Sequence, residues 1–389
     1  MANNTPKIST KKKLSRIYKE LMAKCEQGGR PYYFNRTPIN AMHNGNKKQF
    51  RLPLFSDLDE DTKKQYVEIV STMVKPDQAS DSENDLVPLV PERYFGNPET
   101  FYNEKGDRIT FSARQEFIIM ALMEVYNEQC QNVYNSEAPD FMKNYWTGVI
   151  GDIVITPYNL ACRLYGTDNP GKHYQEIVDD LMFLSLSRES MVLLAYNENV
   201  EKDGKIIPLP RVVYNHLIEL VPNAKCFDEK ERFVIRLHKG IFFTRLQKNY
   251  ILLYSGITPK ITVHYGSYPP RHTLNLLEYI LVAGNNKIEN GTRQCQISVT
   301  NLKYILSPED SDLGKYDRLN QRFKDAIKAL VACNVIKDTG LDKIELKKGK
   351  ENQKAVITFT IADDFFREKE EVKALEETPE NDLILTNPT

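Results

Sequence analysis

The chain lacks the long apolar runs of a membrane protein. No hydrophobic stretch approaches the roughly 20 residues needed to cross a bilayer, so no membrane span is expected. The opening residues, MANNTPKISTKKKLSRIYKELM, are basic but contain no apolar h-region, which argues against a secretory signal. Cysteine is sparse: six thiols stand at 25, 130, 162, 226, 295 and 333, with no C-x-x-C pair. No His lies at metal-ligand spacing to another. A disulfide scaffold and a zinc site are therefore not expected, and reduced buried thiols in a cytoplasmic protein are.

Catalytic signatures are missing as well. There is no G-x-x-x-x-G-K-[ST] loop to cradle nucleotide phosphates, which removes the usual sign of an ATPase. No His-apolar-His pair is present to hold a divalent metal beside a tyrosine nucleophile, and no G-x-S-x-G appears. A Cys/His pair stays open, because its members need not be neighbours in sequence, but nothing singles one out. The six His (43, 173, 216, 238, 264, 272) read as core or surface residues. The NGT at Asn290 fits the glycosylation pattern and is short enough to arise by chance. The expectation is a protein with neither enzymatic activity nor a cofactor.

An excess of one charge is also absent, since the net charge is −1. Its distribution is uneven. Residues 1–24 carry a net +6 and residues 258–350 a net +5, whereas 55–85 and 363–383 each carry −6. Segregated basic and acidic stretches leave room for a polyanionic partner that the total hides.

What the chain does have is core-forming material. Of 389 residues, 41% are hydrophobic and 27% charged, with 21 Tyr and 17 Phe against one Trp. That is enough for two or three domains. It also has a repeat. ITPYNLACRL, from Ile155 to Leu164, returns as ISVTNLKYIL, from Ile297 to Leu306, both fitting I-[TS]-x-x-N-L-x-x-x-L. Thr156 and Ser298 are natural helix N-caps, and Pro157 suits a first helical position. Leu160 and Leu164, like Leu302 and Leu306, repeat at i,i+4 and predict one buried side of a short helix.

The surroundings of the two phrases match. Before the first, Phe117, Ile118, Ala121, Leu122 and Val125 predict a helix with one apolar stripe; before the second, Leu274, Leu277, Ile280 and Leu281 do the same. A turn follows each phrase, YGTDNPGK and then SPEDSDLGK. A third helix comes next: HYQEIVDDLMFLSLS in the first half, and in the second a helix with Leu319, Phe323, Ile327 and Leu330 on one face. Each third helix precedes β-like runs. The first set turns at Asp203–Gly204, a hairpin signal; the second spans VIKDTGLDKIELKKGKENQKAVITFTI. Helix, short helix, turn, helix, hairpin is the order of a winged helix-turn-helix. The fold expected is α+β, mainly helical, with two such domains in tandem. Residues 1–107 form an N-terminal extension, peripheral and partly helical or disordered. The domains span 108–256 and 257–366, and 367–389 form a flexible acidic tail.

A helix-turn-helix reads the major groove with the early part of its last helix. Opposite the apolar face of the second third-helix stand Asn320, Gln321, Lys324 and Lys328, flanked by Arg318 and Arg322. Asn and Gln pair with adenine, Arg with guanine, and Lys neutralises phosphates. Lys347, Lys348, Lys350 and Lys354 mark a loop suited to lie along the backbone as a wing. An ordinary solvated helix face and a soluble hairpin tip are the plain alternatives. In the first half Lys172, His173 and Gln175 come early in the third helix, but Glu176, Asp179 and Asp180 follow and would repel phosphates. Arg245 and Lys248, between the halves, are either near DNA or surface charges over packed core.

In order and pattern, FSARQEFIIMALM, ITPYNLACRLYGTDNPGKHYQEIVDDLMFLS and YDRLNQRFKDAIKALVACNVIKD resemble the plasmid replication initiators built from two tandem winged-helix domains, the iteron-binding type. The resemblance covers about residues 108–365. It implies binding to repeated origin sequences, with the C-terminal winged helix making the main groove contacts. It further implies a dimer interface in the N-terminal winged helix, monomer–dimer exchange, and host replication proteins as partners. Two alternatives stand beside an initiator: a transcriptional regulator with the same modules, and a protein-interaction or structural protein whose winged helices no longer bind DNA.

Overall fold

The computed structural model describes residues 32–35, 38–39, 42–43, 109–134, 152–171, 173–202, 205–221, 233–237, 250–289, 291–347 and 355–366. Most of the 1–107 extension, the tail after 366, Lys172, Lys348, Lys350, Lys354, Arg245 and Lys248 lie outside the described residues. Helix and strand are mixed and helix predominates.

Both repeated phrases form the helices their caps predict. Pro157–Tyr165 is α2, with Asn159 N–H donating to Thr156 Oγ1 at 3.0 Å. Its counterpart, Val299–Leu306, is α6, with Asn301 N–H donating to Ser298 Oγ at 3.2 Å. Each hydroxyl satisfies a donor that the first helical turn cannot pair internally. Leu160, Leu164, Leu302 and Leu306 are all buried. Gly166, at φ 59°, closes α2 in the left-handed region that costs a glycine nothing.

Around α2 the first half is assembled from α1 (Ala113–Tyr134), β2 (Asp152–Ile155), α3 (His173–Leu186), β3 (Val192–Lys202), β4 (Lys205–Asn215), β5 (Ile218–Val221) and β6 (Phe233–Leu237). Around α6 the second half has α4 (Thr258–Tyr265), α5 (Arg271–Glu289), β8 (Gln294–Ser298), α7 (Pro308–Asp312), α8 (Tyr316–Ala332) and β9 (Val356–Thr360). Strand pairing repeats along with the helices. In the first half the antiparallel order is β2-β6-β5. In the second, β8 pairs with β9, and Ile336 bridges Ile361 on the far side. Each time, the strand leading into the short helix pairs with the last strand, whose other neighbour comes after the third helix.

This topology corrects three expectations. The hairpin around Asp203–Gly204 exists, with Lys202 opposite Lys205, but β3 and β4 pair only with each other among the described strands and are inserted ahead of β5. The true counterpart of the second half's Lys-rich loop is the β5–β6 connection, residues 222–232, outside the described residues. In the second half the run after Ile336 is not a strand: Leu341–Lys343 makes a 3-10 turn, entered through Gly340 at φ 73°. The turn SPEDSDLGK contains α7, capped by Ser307 and with Pro308 at its first position.

Helix α1 has more than a stripe. Every residue from Glu116 to Asn127 is buried, because β1 (Tyr32–Asn35), β2, α2, α4 and α5 surround the helix. A helix covered on all sides needs no polar face. Strand β1 (Tyr32–Asn35) comes from the stretch expected to be peripheral; it pairs with β7 (Tyr250–Leu253), and Phe34, Ile39 and Met42 are buried beside it. Beyond β7, Leu253 bridges Phe366, whose ring would stand 3.0 Å from a Cβ on Gly284. One apolar cluster runs from Phe34 to Phe366 through both halves.

Candidate nucleic-acid interface

Helix α8 is sharply two-faced. Leu319, Phe323, Ala326, Ile327 and Leu330 are buried as a continuous stripe, which fixes the opposite side outward. On that side Gln321 and Lys328 are exposed, Lys324 is partly exposed, and the Arg318 side chain is 66% exposed. These four stand where the sequence placed them.

Arg322 is more committed. Asp310, only 4% exposed, lies against the start of α8 and gathers three cations. Arg322 Nη1 stands 2.8 Å from Asp310 Oδ2, at an angle poor for a hydrogen bond, while Arg318 and Lys315 stand 3.8 Å and 4.0 Å from Oδ1. A carboxylate this buried needs its cations. Arg322 therefore serves the turn before it serves any ligand. The signal for Asp310 was present as the acid of an S-P-E-D helix start, but its inward direction was not.

Asn320 is corrected outright. Its Oδ1 accepts from Leu346 N–H at 2.6 Å and its Nδ2 donates to Leu346 C=O at 3.1 Å. Both ends of the amide are taken, which leaves no bidentate pair to offer adenine. Next to Leu346, Lys347 is 68% exposed, with Glu345 at 3.8 Å.

In the first half the expected readers are likewise occupied. His173 stacks on Tyr165 with ring centres 4.0 Å apart, and its Nδ1 lies 3.1 Å from Glu176 Oε2. Gln175 Nε2 donates to Asp179 at 2.9 Å. Two of the three acids expected to face phosphates turn onto α1 instead: Arg114 bonds Asp180 and reaches Glu176 at 3.0 Å, and Gln115 donates to Asp180 at 3.1 Å, while Asp179 stays exposed. Bonds from His173 and Tyr165 hold the Glu176 carboxyl below its ordinary range. This surface is self-satisfied.

A buried charge network, which sequence reasoning missed, joins the halves. Arg163, 2% exposed, donates to Glu124 at 2.6 Å and to Glu128 at 2.8 and 2.9 Å. Glu124, fully buried, also accepts from Ile257 N–H at 2.6 Å, Thr258 N–H at 2.9 Å and the Thr258 hydroxyl. The carboxylate thus sits on the N-terminal amides of α4, where the helix dipole favours a negative charge. Arg271 bonds Glu116 and the Phe111 carbonyl nearby. Position 163 falls inside the repeated phrase, where the second copy has Ile305; that one polar departure was the available clue.

Burial pushes the Cys162 thiol up to about 11 and that of Cys333 up to about 12, so neither is poised as a nucleophile at neutral pH. Cys162, Cys295 and Cys333 are buried thiols, as expected of them. Among the described residues, no helix is long and apolar enough to cross a membrane. Compared with protein families, with curated proteins and with solved structures, the chain finds no match in any of the three.

Proposed function

We propose that this chain is a non-enzymatic, sequence-specific double-stranded DNA-binding protein built on two tandem winged helix-turn-helix units, acting as a plasmid-type replication initiator on repeated origin sequences. The observation that carries the reading is α8. Its apolar face is wholly buried, and its outer face presents Arg318, Gln321, Lys324 and Lys328 after a short helix and a tight turn. A helix so placed enters a major groove with amide and cationic side chains toward base edges and phosphates. The shared strand order of the two halves supports the tandem fold, and exposed Lys347 extends the cationic surface toward the backbone. The second half does the reading. A homodimer through the first half and host replication proteins are the partners the family resemblance adds.

Footprinting of the purified protein on duplex flanking its own gene tests the reading. Protection of short direct repeats is the expected result, with affinity falling steeply from 50 to 200 mM salt as condensed counterions are released. A single protected promoter operator would make it a transcriptional regulator. Absence of protection at both salts would overturn DNA binding. A protein-interaction role is the second reading, favoured by the self-satisfied third helix of the first half, where Met182 and Leu186 are exposed at i,i+4.

A further inference from the structure

Among the described residues, the second half has no strand between Ile336 and Val356, where a wing would begin. After Ile336, which makes one bridge to Ile361, the chain runs through a 3-10 turn to residues 344–347, which belong to no strand. The peptide of Leu346 finds its partners elsewhere. Asn320, one turn into α8, donates to its carbonyl and accepts from its N–H. A carboxamide offers donor and acceptor in one plane, so it substitutes for a neighbouring strand over one residue. Leu341 and Leu346 are buried under the same segment, and the next side chain, Lys347, is outside.

We propose that Asn320 is a positioning residue that locks the Leu346–Lys347 segment to α8, so that Lys347 and the groove face of α8 meet one duplex as a single rigid surface. The inference rests on the DNA-binding reading, and it reassigns Asn320 from reading bases to holding a phosphate contact in place. Preorganisation of this kind spares the ordering cost that a loose segment would meet on binding.

The test uses full-length protein and a 40-base-pair duplex selected by the wild type from a random-sequence pool. Affinity is measured across salt concentrations for wild type, Asn320→Ala, Lys347→Ala and the double variant. Lys347→Ala is expected to reduce the slope of log affinity against log salt by about 0.9 in the wild-type background, the value for one lost phosphate contact. In the Asn320→Ala background it is expected to change nothing. A Lys347 contribution that survives Asn320→Ala overturns the lock, and so does reselection by Asn320→Ala of a sequence altered at one adenine.

If the wild type selects no duplex, the DNA reading fails while the lock is still tested by hydrogen exchange. Exchange at the Leu346 amide should then rise at least tenfold in Asn320→Ala, with Ala326–Leu330 unchanged; equal protection overturns it. Should Asn320→Ala not fold, Asn320→Ser carries the comparison. Its shorter, uncharged side chain cannot hold both polar groups of Leu346, and it adds no charge beside Lys347.

Discussion

Arg163 takes a guanidinium into a site that is almost wholly dry, and the structure answers with two carboxylates, one of them held in turn by a helix N-terminus. Such a group stabilises only while every partner is present. Arg163→Met is expected to cost about 3–5 kcal/mol in urea unfolding, because it strands Glu124 without its cation. Adding Glu124→Gln and Glu128→Gln should recover part of that loss. The caps are a smaller matter. Thr156→Ala and Ser298→Ala should each cost about 1 kcal/mol in the same measurement, and they should add, since the two sites share no partner. Their legibility differs for a plain reason. A cap hydroxyl bonds a backbone amide three residues on, so the sequence contains both partners; Arg163 meets Glu124 and Thr258 from 39 and 95 residues away.

At the scale of elements, one-sided burial decided what could be read. In α8 apolar residues recur on one face and are buried as the spacing predicts; in α5 Leu274, Leu277, Ile280 and Leu281 are buried as well, but within a run, residues 273–278, that is buried throughout. Helix α1 carries no such contrast, because the stripe its spacing predicts lies within a run, residues 116–127, buried throughout. Strand β8 went unread because only Cys295 and Ile297 point inward, too short an alternation to notice. Pro208 and Pro210 lie two apart in β4 while pairing with β3 continues past both. Their donor-less nitrogens must then face the edge away from β3, unpaired among the described strands, where they hinder the addition of another strand. For α8 the consequence is a cleaner variant. Reversing Arg322 would also set a carboxylate against buried Asp310 and confound binding with folding. Lys324→Glu with Lys328→Glu is expected to weaken duplex binding more than a hundredfold in anisotropy titrations, with the thermal midpoint unchanged.

For the whole molecule, one cluster and two cross-half arginines couple what the sequence divided at residue 257. Unfolding is expected to be a single transition by circular dichroism and by fluorescence. Its pH dependence follows from histidine burial. Desolvation lowers the affinity of His216, His264 and His272 for protons; at His272 the Asp325 carboxylate, 2.9 Å away, opposes it only in part. A histidine whose folded value lies below the unfolded one near 6.5 binds its proton more readily when unfolded. Stability is therefore whole at pH 7.5 and declines as the pH falls below about 6.5, until the folded group titrates too, by at most about 1.4 kcal/mol per pH unit for each proton. His272→Gln should flatten that decline between pH 6.5 and 5 in urea titrations.

The amino-acid order by itself determined the parts whose causes are local: two capped helices with i,i+4 leucines, the one-sided α8 with cations on its outer face, and the pairing of β3 with β4. Each depends on partners within a few residues, or on a periodicity that solvent enforces. Tertiary structure alone decided the rest. It drew Phe34 and Phe366 into one core, turned Glu176 and Asp180 onto Arg114, and put Asp310 under Arg322. It also spent the Asn320 amide on Leu346. Those outcomes depend on which buried polar group finds which partner across the chain, and a group removed from water must take whatever partner the packing brings.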